Sequence, residues 1–132
     1  MHQVINPEEL VKPIGYAHAV KVTGGTTIYL AGQVSFDSNG NVVFPGDIVA
    51  QFKQALTNLQ IAIRASGGEM TSIVKLNLFV KDKDLYKKHL RELGDVYRTF
   101  FGKYFPAMTL VEVSSLFEDD ALLEIEGIAV VN

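Results

Sequence analysis

The stretch Leu122-Leu123-Glu124-Ile125-Glu126-Gly127-Ile128-Ala129-Val130-Val131 decides the fold. It contains no proline, is rich in aliphatic residues and reads as a β-strand. Strand alternation sorts its side chains into two sets. Leu123, Ile125, Ala129 and Val131 share one face, while Leu122, Ile128 and Val130 share the other with Glu124 and Glu126. Both faces therefore need cover from water.

Working back from this strand, the acidic turn Glu118-Asp119-Asp120 separates it from a second strand over residues 108–114. Before that, residues 84–104 are expected to form a helix with the apolar stripe Tyr86, Leu90, Leu93, Tyr97 and Phe100. Residues 73–80 read as a strand with Val74, Leu76, Leu78 and Val80 on one face. A helix capped by Asp47 and stopped by Gly67-Gly68 carries Val49, Phe52, Leu56, Leu59 and Ile63 at steps of three and four. Residues 19–23 and 26–31 are β-rich runs joined by Gly24-Gly25, which predicts a hairpin. Residues 41–44 add a candidate short strand after the turn Asp37-Ser38-Asn39-Gly40.

Two helices in crossover connections can cover one face of a mixed sheet but leave the other bare. The economical remedy is self-association through the bare face, which would place ligand clefts between subunits.

Length and composition fit one α+β domain over residues 1–132. Hydrophobic residues make up 48% and charged residues 20%, with no long polar or single-sign run. A net charge of -3 with 12 scattered Lys and Arg offers no footprint for a phosphate backbone, which argues against nucleic acid as a partner. Cysteine is absent, so disulfides and thiolate chemistry are excluded, and a reducing compartment fits. The first ten residues show no signal peptide, and no run is long enough to span a bilayer, so the expectation is a soluble, cytoplasmic protein. His2, His18 and His89 lack metal-ligand spacing, and neither glycine pair sits in a phosphate-loop pattern.

Several segments, taken in order, resemble RidA/YjgF-like proteins: Gly15-Tyr16-Ala17-His18-Ala19-Val20, Ala31-Gly32-Gln33, Gln51, Ile73-Val74-Lys75 with Phe79-Val80-Lys81-Asp82, Phe100-Phe101, Pro106-Ala107, Val111-Glu112-Val113 and Glu124-Ile125-Glu126-Gly127-Ile128-Ala129. The set covers nearly the whole chain. The resemblance implies a chorismate-mutase-like α+β fold, with two helices on one face of a mixed sheet, assembled as a homotrimer around an inner β-barrel. It also implies intersubunit clefts in which better-known members hydrolyse enamines and imines to keto acids and ammonia without a cofactor.

In those members an arginine directly after Pro-Ala binds the substrate carboxylate, a glutamate in the last strand handles the attacking water, and a tyrosine near the first strand lines the cleft. Tyr16 and Glu124 match; the arginine position is Met108, and a family asparagine falls on Gly94. Other branches of the family also lack the arginine.

Glu124 is thus the catalytic candidate, and Tyr16, Met108, Thr109 and Leu110 are the ligand-binding candidates. Glu124 could polarise a water or relay a proton; the competing reading is a strand glutamate paired with a lysine. Glu126 reads as an ion-pair or hydrogen-bond partner. Tyr16 could wall the cleft or pack on a neighbour, and His18 reads more readily as a hydrogen-bonding surface group than as a general base. Met108 could line a pocket for a less polar ligand or fill a gap, and Thr109 and Leu110 offer backbone N–H groups to a carboxylate. Tyr16, Met108, Thr109 and Glu124 are expected to meet in one cleft, with Tyr16 reaching across a subunit boundary.

Two functions remain open. One is hydrolysis of a small enamine or imine, weak or altered in specificity; the other is retention of a small metabolite without turnover. Loss of the guanidinium clamp is expected to weaken substrate binding by about 1.5 to 3 kcal/mol, or roughly 10- to 150-fold.

Overall fold

A computed structural model describes residues 2–132. Along the chain run β1 (His2–Ile5), β2 (Ala19–Val22), β3 (Thr26–Gln33), α1 (Ile48–Ala65), a 3₁₀ turn (Met70–Ser72), β4 (Ile73–Val80), α2 (Lys83–Lys88), α3 (Leu90–Phe101), β5 (Ala107–Glu112) and β6 (Leu123–Val131). β6 lies inside a four-stranded mixed sheet of order β3-β6-β4-β5, antiparallel to β3 and β4, while β5 runs parallel to β4.

α1 begins where Asp47 accepts a hydrogen bond from Ala50 N at 3.0 Å and ends before Gly67, whose φ of 90° only glycine adopts freely. It packs on β3 and β6 and beside α3. Phe52, Leu56, Leu59 and Ile63 are buried from its stripe, against Leu123, Ile125 and Ala129 of β6 and Leu76, Leu78 and Val80 of β4. The opposite sheet face carries Lys75, Asn77 and Phe79 from β4, Glu124, Glu126 and Ile128 from β6, and Tyr29 from β3, all half-buried or exposed. No helix of the described residues is long and apolar enough to cross a membrane.

Four expectations need correction. Gly24-Gly25 does not close a hairpin: β2 pairs with β1, from His2↔Val22 to Ile5↔Ala19, while β3 pairs with β6. Both glycines have the positive φ expected of a turn, 75° and 85°, but the turn presses on the end of β6, where a Cβ on Gly25 would stand 2.8 Å from the Val131 carbonyl. Local turn chemistry was right; the choice of partner strand is non-local.

Ile73, rather than Val74, joins the buried face of β4, because Ile73 and Lys75 oppose the consecutive residues Ala129 and Ile128, the mark of a bulge at Val74. The second helix is broken at His89, whose ψ of 22° ends α2 and whose Nδ1 lies 3.0 Å from the Leu85 carbonyl. Residues 41–44 make only an isolated bridge, Phe36↔Val42.

Candidate functional site

On the helix side of the sheet, β4, β5, α3 and the segment before β2 enclose a cavity of about 590 Å³. Parallel pairing of Leu76 with Met108 and of Leu78 with Leu110 turns these four side chains the same way, and all four line it. Tyr16 reaches it because Ala17 N donates to the Pro106 carbonyl at 3.0 Å, bridging Ala17 to Ala107 beside β5. Tyr16 therefore lines a cavity within its own chain. His18 packs edge-on against the Tyr16 ring, centroids 5.3 Å apart, and its Nε2 is 2.7 Å from the Val11 carbonyl. Its place is to hold the segment that carries Tyr16.

Apart from Arg98, the described walls are apolar or neutral. Burial pushes the Tyr86 phenol up to about 12 and the Tyr97 phenol higher still, so both stay protonated at neutral pH. Tyr97 donates to the Tyr104 carbonyl at 2.8 Å, and its ring stacks between Phe101 and Phe105. Among the described residues Arg98 is the one charged residue in the lining. Its Nη1 lies 3.4 Å from where a Cβ on Gly94 would stand, and its Nη2 pairs with Asp95.

Glu124 and Thr109 lie on the opposite, open face. Glu124 is half-buried against the backbone of Gly32: a Cβ on Gly32 would fall 2.0 Å from Glu124 Oε2. Among the described residues Glu124 makes no side-chain hydrogen bond or ion pair. Glu126 differs, because Asn77 Nδ2 donates to its Oε2 at 3.1 Å. Lys75 Nζ donates to Thr109 Oγ1 at 2.9 Å.

Within one chain the candidate residues thus form two groups rather than one cleft. Tyr16, Met108 and Leu110 share the cavity; Thr109 and Glu124 face away from it. Two residues of the site were missed from sequence. Arg98 falls one helical turn after Gly94, a spacing that could have signalled it. Gly32 carried no local signal beyond its place in Ala31-Gly32-Gln33.

Residues 8–131 match the sequence model of a family described as Endoribonuclease L-PSP. A RutC family protein of Pyrococcus horikoshii is 36% identical over 130 residues, covering 98% of both chains. A 2-iminobutanoate/2-iminopropanoate deaminase of Dermatophagoides farinae is 35% identical over 130 residues, covering 98% of this chain and 96% of its own. Among solved structures, YyfB from Yersinia pestis, of the conserved Rid protein family, superposes with a TM-score of 0.89 at 31% identity over 98% of each chain.

Proposed function

The chain belongs to the Endoribonuclease L-PSP family, the RidA/YjgF-like proteins, and from that premise we propose that it is a homotrimer binding a small carboxylate- or imine-like metabolite between subunits and hydrolysing it weakly. The observation that carries this reading is Glu124, an unpartnered carboxylate laid over bare backbone at Gly32. A charge in that position is costly to keep without a partner unless water or a ligand serves it.

The two groups of residues complete each other only between copies: the cavity of Tyr16 and Met108 from one chain, and Glu124 with Gly32 from the next. Self-association is supported by the open sheet face, where Tyr29 is 79% exposed beside Ile128.

In the reaction a water oxygen bonds to the C=N carbon as Glu124 takes a proton from it and passes that proton to the nitrogen, giving a carbinolamine. Glu124 then takes the hydroxyl proton and delivers it to the nitrogen as the C–N bond breaks, so that ammonia leaves and a C=O remains. Nothing is oxidised or reduced. Relatives named 2-iminobutanoate/2-iminopropanoate deaminase support this chemistry. Ribonuclease activity does not fit this chain, since 15 acidic residues outnumber 12 basic ones and no basic stripe is present in the sequence.

The test is ammonia release from 2-aminoacrylate generated in place. Slow turnover is expected, raised roughly 10- to 100-fold in kcat/KM by Met108→Arg and cut by about 100-fold in Glu124→Gln. Oxo-acid binding without turnover in either form would instead favour the non-catalytic metabolite-binding trimer.

A further inference from the structure

We propose that Arg98, on α3, takes the ligand's carboxylate and that the ligand is a 2-oxo or 2-imino acid with a bulky apolar side chain; this rests on the reading of the cleft given above.

Met108 brings no charge to the cavity, yet the cavity is not without one. Among the described residues Arg98 is the single ionised group in its lining. It is half open to water and paired with Asp95 through one nitrogen, and a cation lining an otherwise apolar cavity favours an anion there. The guanidinium is planar and presents five donors, which suits a carboxylate better than a point charge would.

Gly94 makes room for it. A Cβ there would already stand 3.4 Å from Arg98 Nη1 and 3.8 Å from Nη2, so any longer side chain at position 94 would compete with the guanidinium for space. Asp95 engages Nη2 alone, leaving the other donors for a ligand. Arg98 and Asp95 are 55% and 66% exposed in their side chains, and an ion pair that open to water is weak enough for a second carboxylate to share the arginine.

The rest of the cavity sets the other end of the ligand. Leu76, Leu78, Leu93, Met108 and Leu110 line it, and its volume of about 590 Å³ far exceeds what a three-carbon acid fills. An acid with a branched or aromatic side chain would bury that side chain among these residues while its carboxylate stays at Arg98. Tyr86, its phenol kept neutral by burial, is also in the lining.

The experiment is calorimetric titration of the full chain at neutral pH with pyruvate, 4-methyl-2-oxopentanoate and phenylpyruvate. The larger acids are expected to bind at least about 10-fold tighter than pyruvate, as burial of several further carbons predicts. Arg98→Gln should weaken the larger acids by roughly 10-fold or more, Arg98→Lys should recover part of that loss, and the remote Arg64→Gln should change nothing. Gly94→Asn gives a second route to the same loss without touching the arginine. Larger acids that bind equally well to wild type and Arg98→Gln, or pyruvate binding as tightly as they do, would overturn the inference and leave the cleft reading standing. If none of the three acids binds, the cleft reading itself falls, and this inference with it.

Discussion

The carboxylate of Glu124 occupies the space that a side chain on Gly32 would need: Oε2 lies 2.0 Å, and Cδ 2.9 Å, from the position of a Cβ built on Gly32. The glycine is thus a seat for the glutamate. Gly32→Ala is expected to push the carboxylate aside; under the proposed reaction this lowers ammonia release at least about 10-fold, because the displaced carboxylate would no longer meet the water. The atoms displaced belong to the flexible end of a side chain, so urea unfolding should shift by less than about 1 kcal/mol. Full activity in Gly32→Ala would show that the seat is unimportant.

Tyr29 and Ile128 sit opposite each other across the β3–β6 ladder on the open face. Under the proposed assembly through this face, Tyr29→Glu should release subunits, read as a fall in mass by native mass spectrometry, because a charge would be buried at the contact. Far-UV circular dichroism should be unchanged, since the ring is already 79% exposed within one chain. An unaltered assembly mass would mean that this face does not join subunits.

Gln51 is fully buried on α1 and serves three backbone groups: its Nε2 donates to the Phe44 and Asp120 carbonyls, and its Oε1 accepts from Leu122 N at 2.8 Å. It fixes the start of β6 two residues before Glu124. Gln51→Leu should cost about 2 to 4 kcal/mol of stability in urea unfolding by leaving those groups unserved. A loss below about 0.5 kcal/mol would mean the loop finds other partners.

Tyr86 and Tyr104 are both pushed up to about 12 by burial, against an ordinary value near 10. The folded chain therefore keeps protons that the unfolded chain releases. Stability from this source is whole below about pH 10 and is lost as pH rises toward 12. The urea midpoint should fall across that window, and less steeply in Tyr86→Phe. Parallel pH profiles for wild type and Tyr86→Phe would contradict the burial effect.

Much of this arrangement was legible in the sequence wherever one segment carried its own signal. Asp47 at the head of α1, its buried stripe and the stop at Gly67 are local features, and so are the two apolar faces of β6. What escaped was the choice of partners. Gly24-Gly25 has hairpin chemistry, but β2 went to β1, four residues whose pairing nothing nearby announced. The bulge at Val74 depends on the pairing with β6, and the break at His89 shows only in that residue's backbone angles. For the candidate site, residue types in order pointed to Glu124, Tyr16 and Met108. That Met108 and Glu124 lie on opposite faces follows only from the registers of β5 and β6 against β4.

The central position of β6 has a consequence for how the protein is made. β3 and β4 both pair with β6, which follows every other element in chain order. On the ribosome, the sheet thus lacks its middle until the final strand emerges, and β3 must wait nearly a hundred residues for its partner. Contacts of such long separation form slowly. Until then the nascent chain carries unpaired strand edges and an uncovered apolar helix face, which makes the interval before β6 arrives the period of greatest exposure to aggregation.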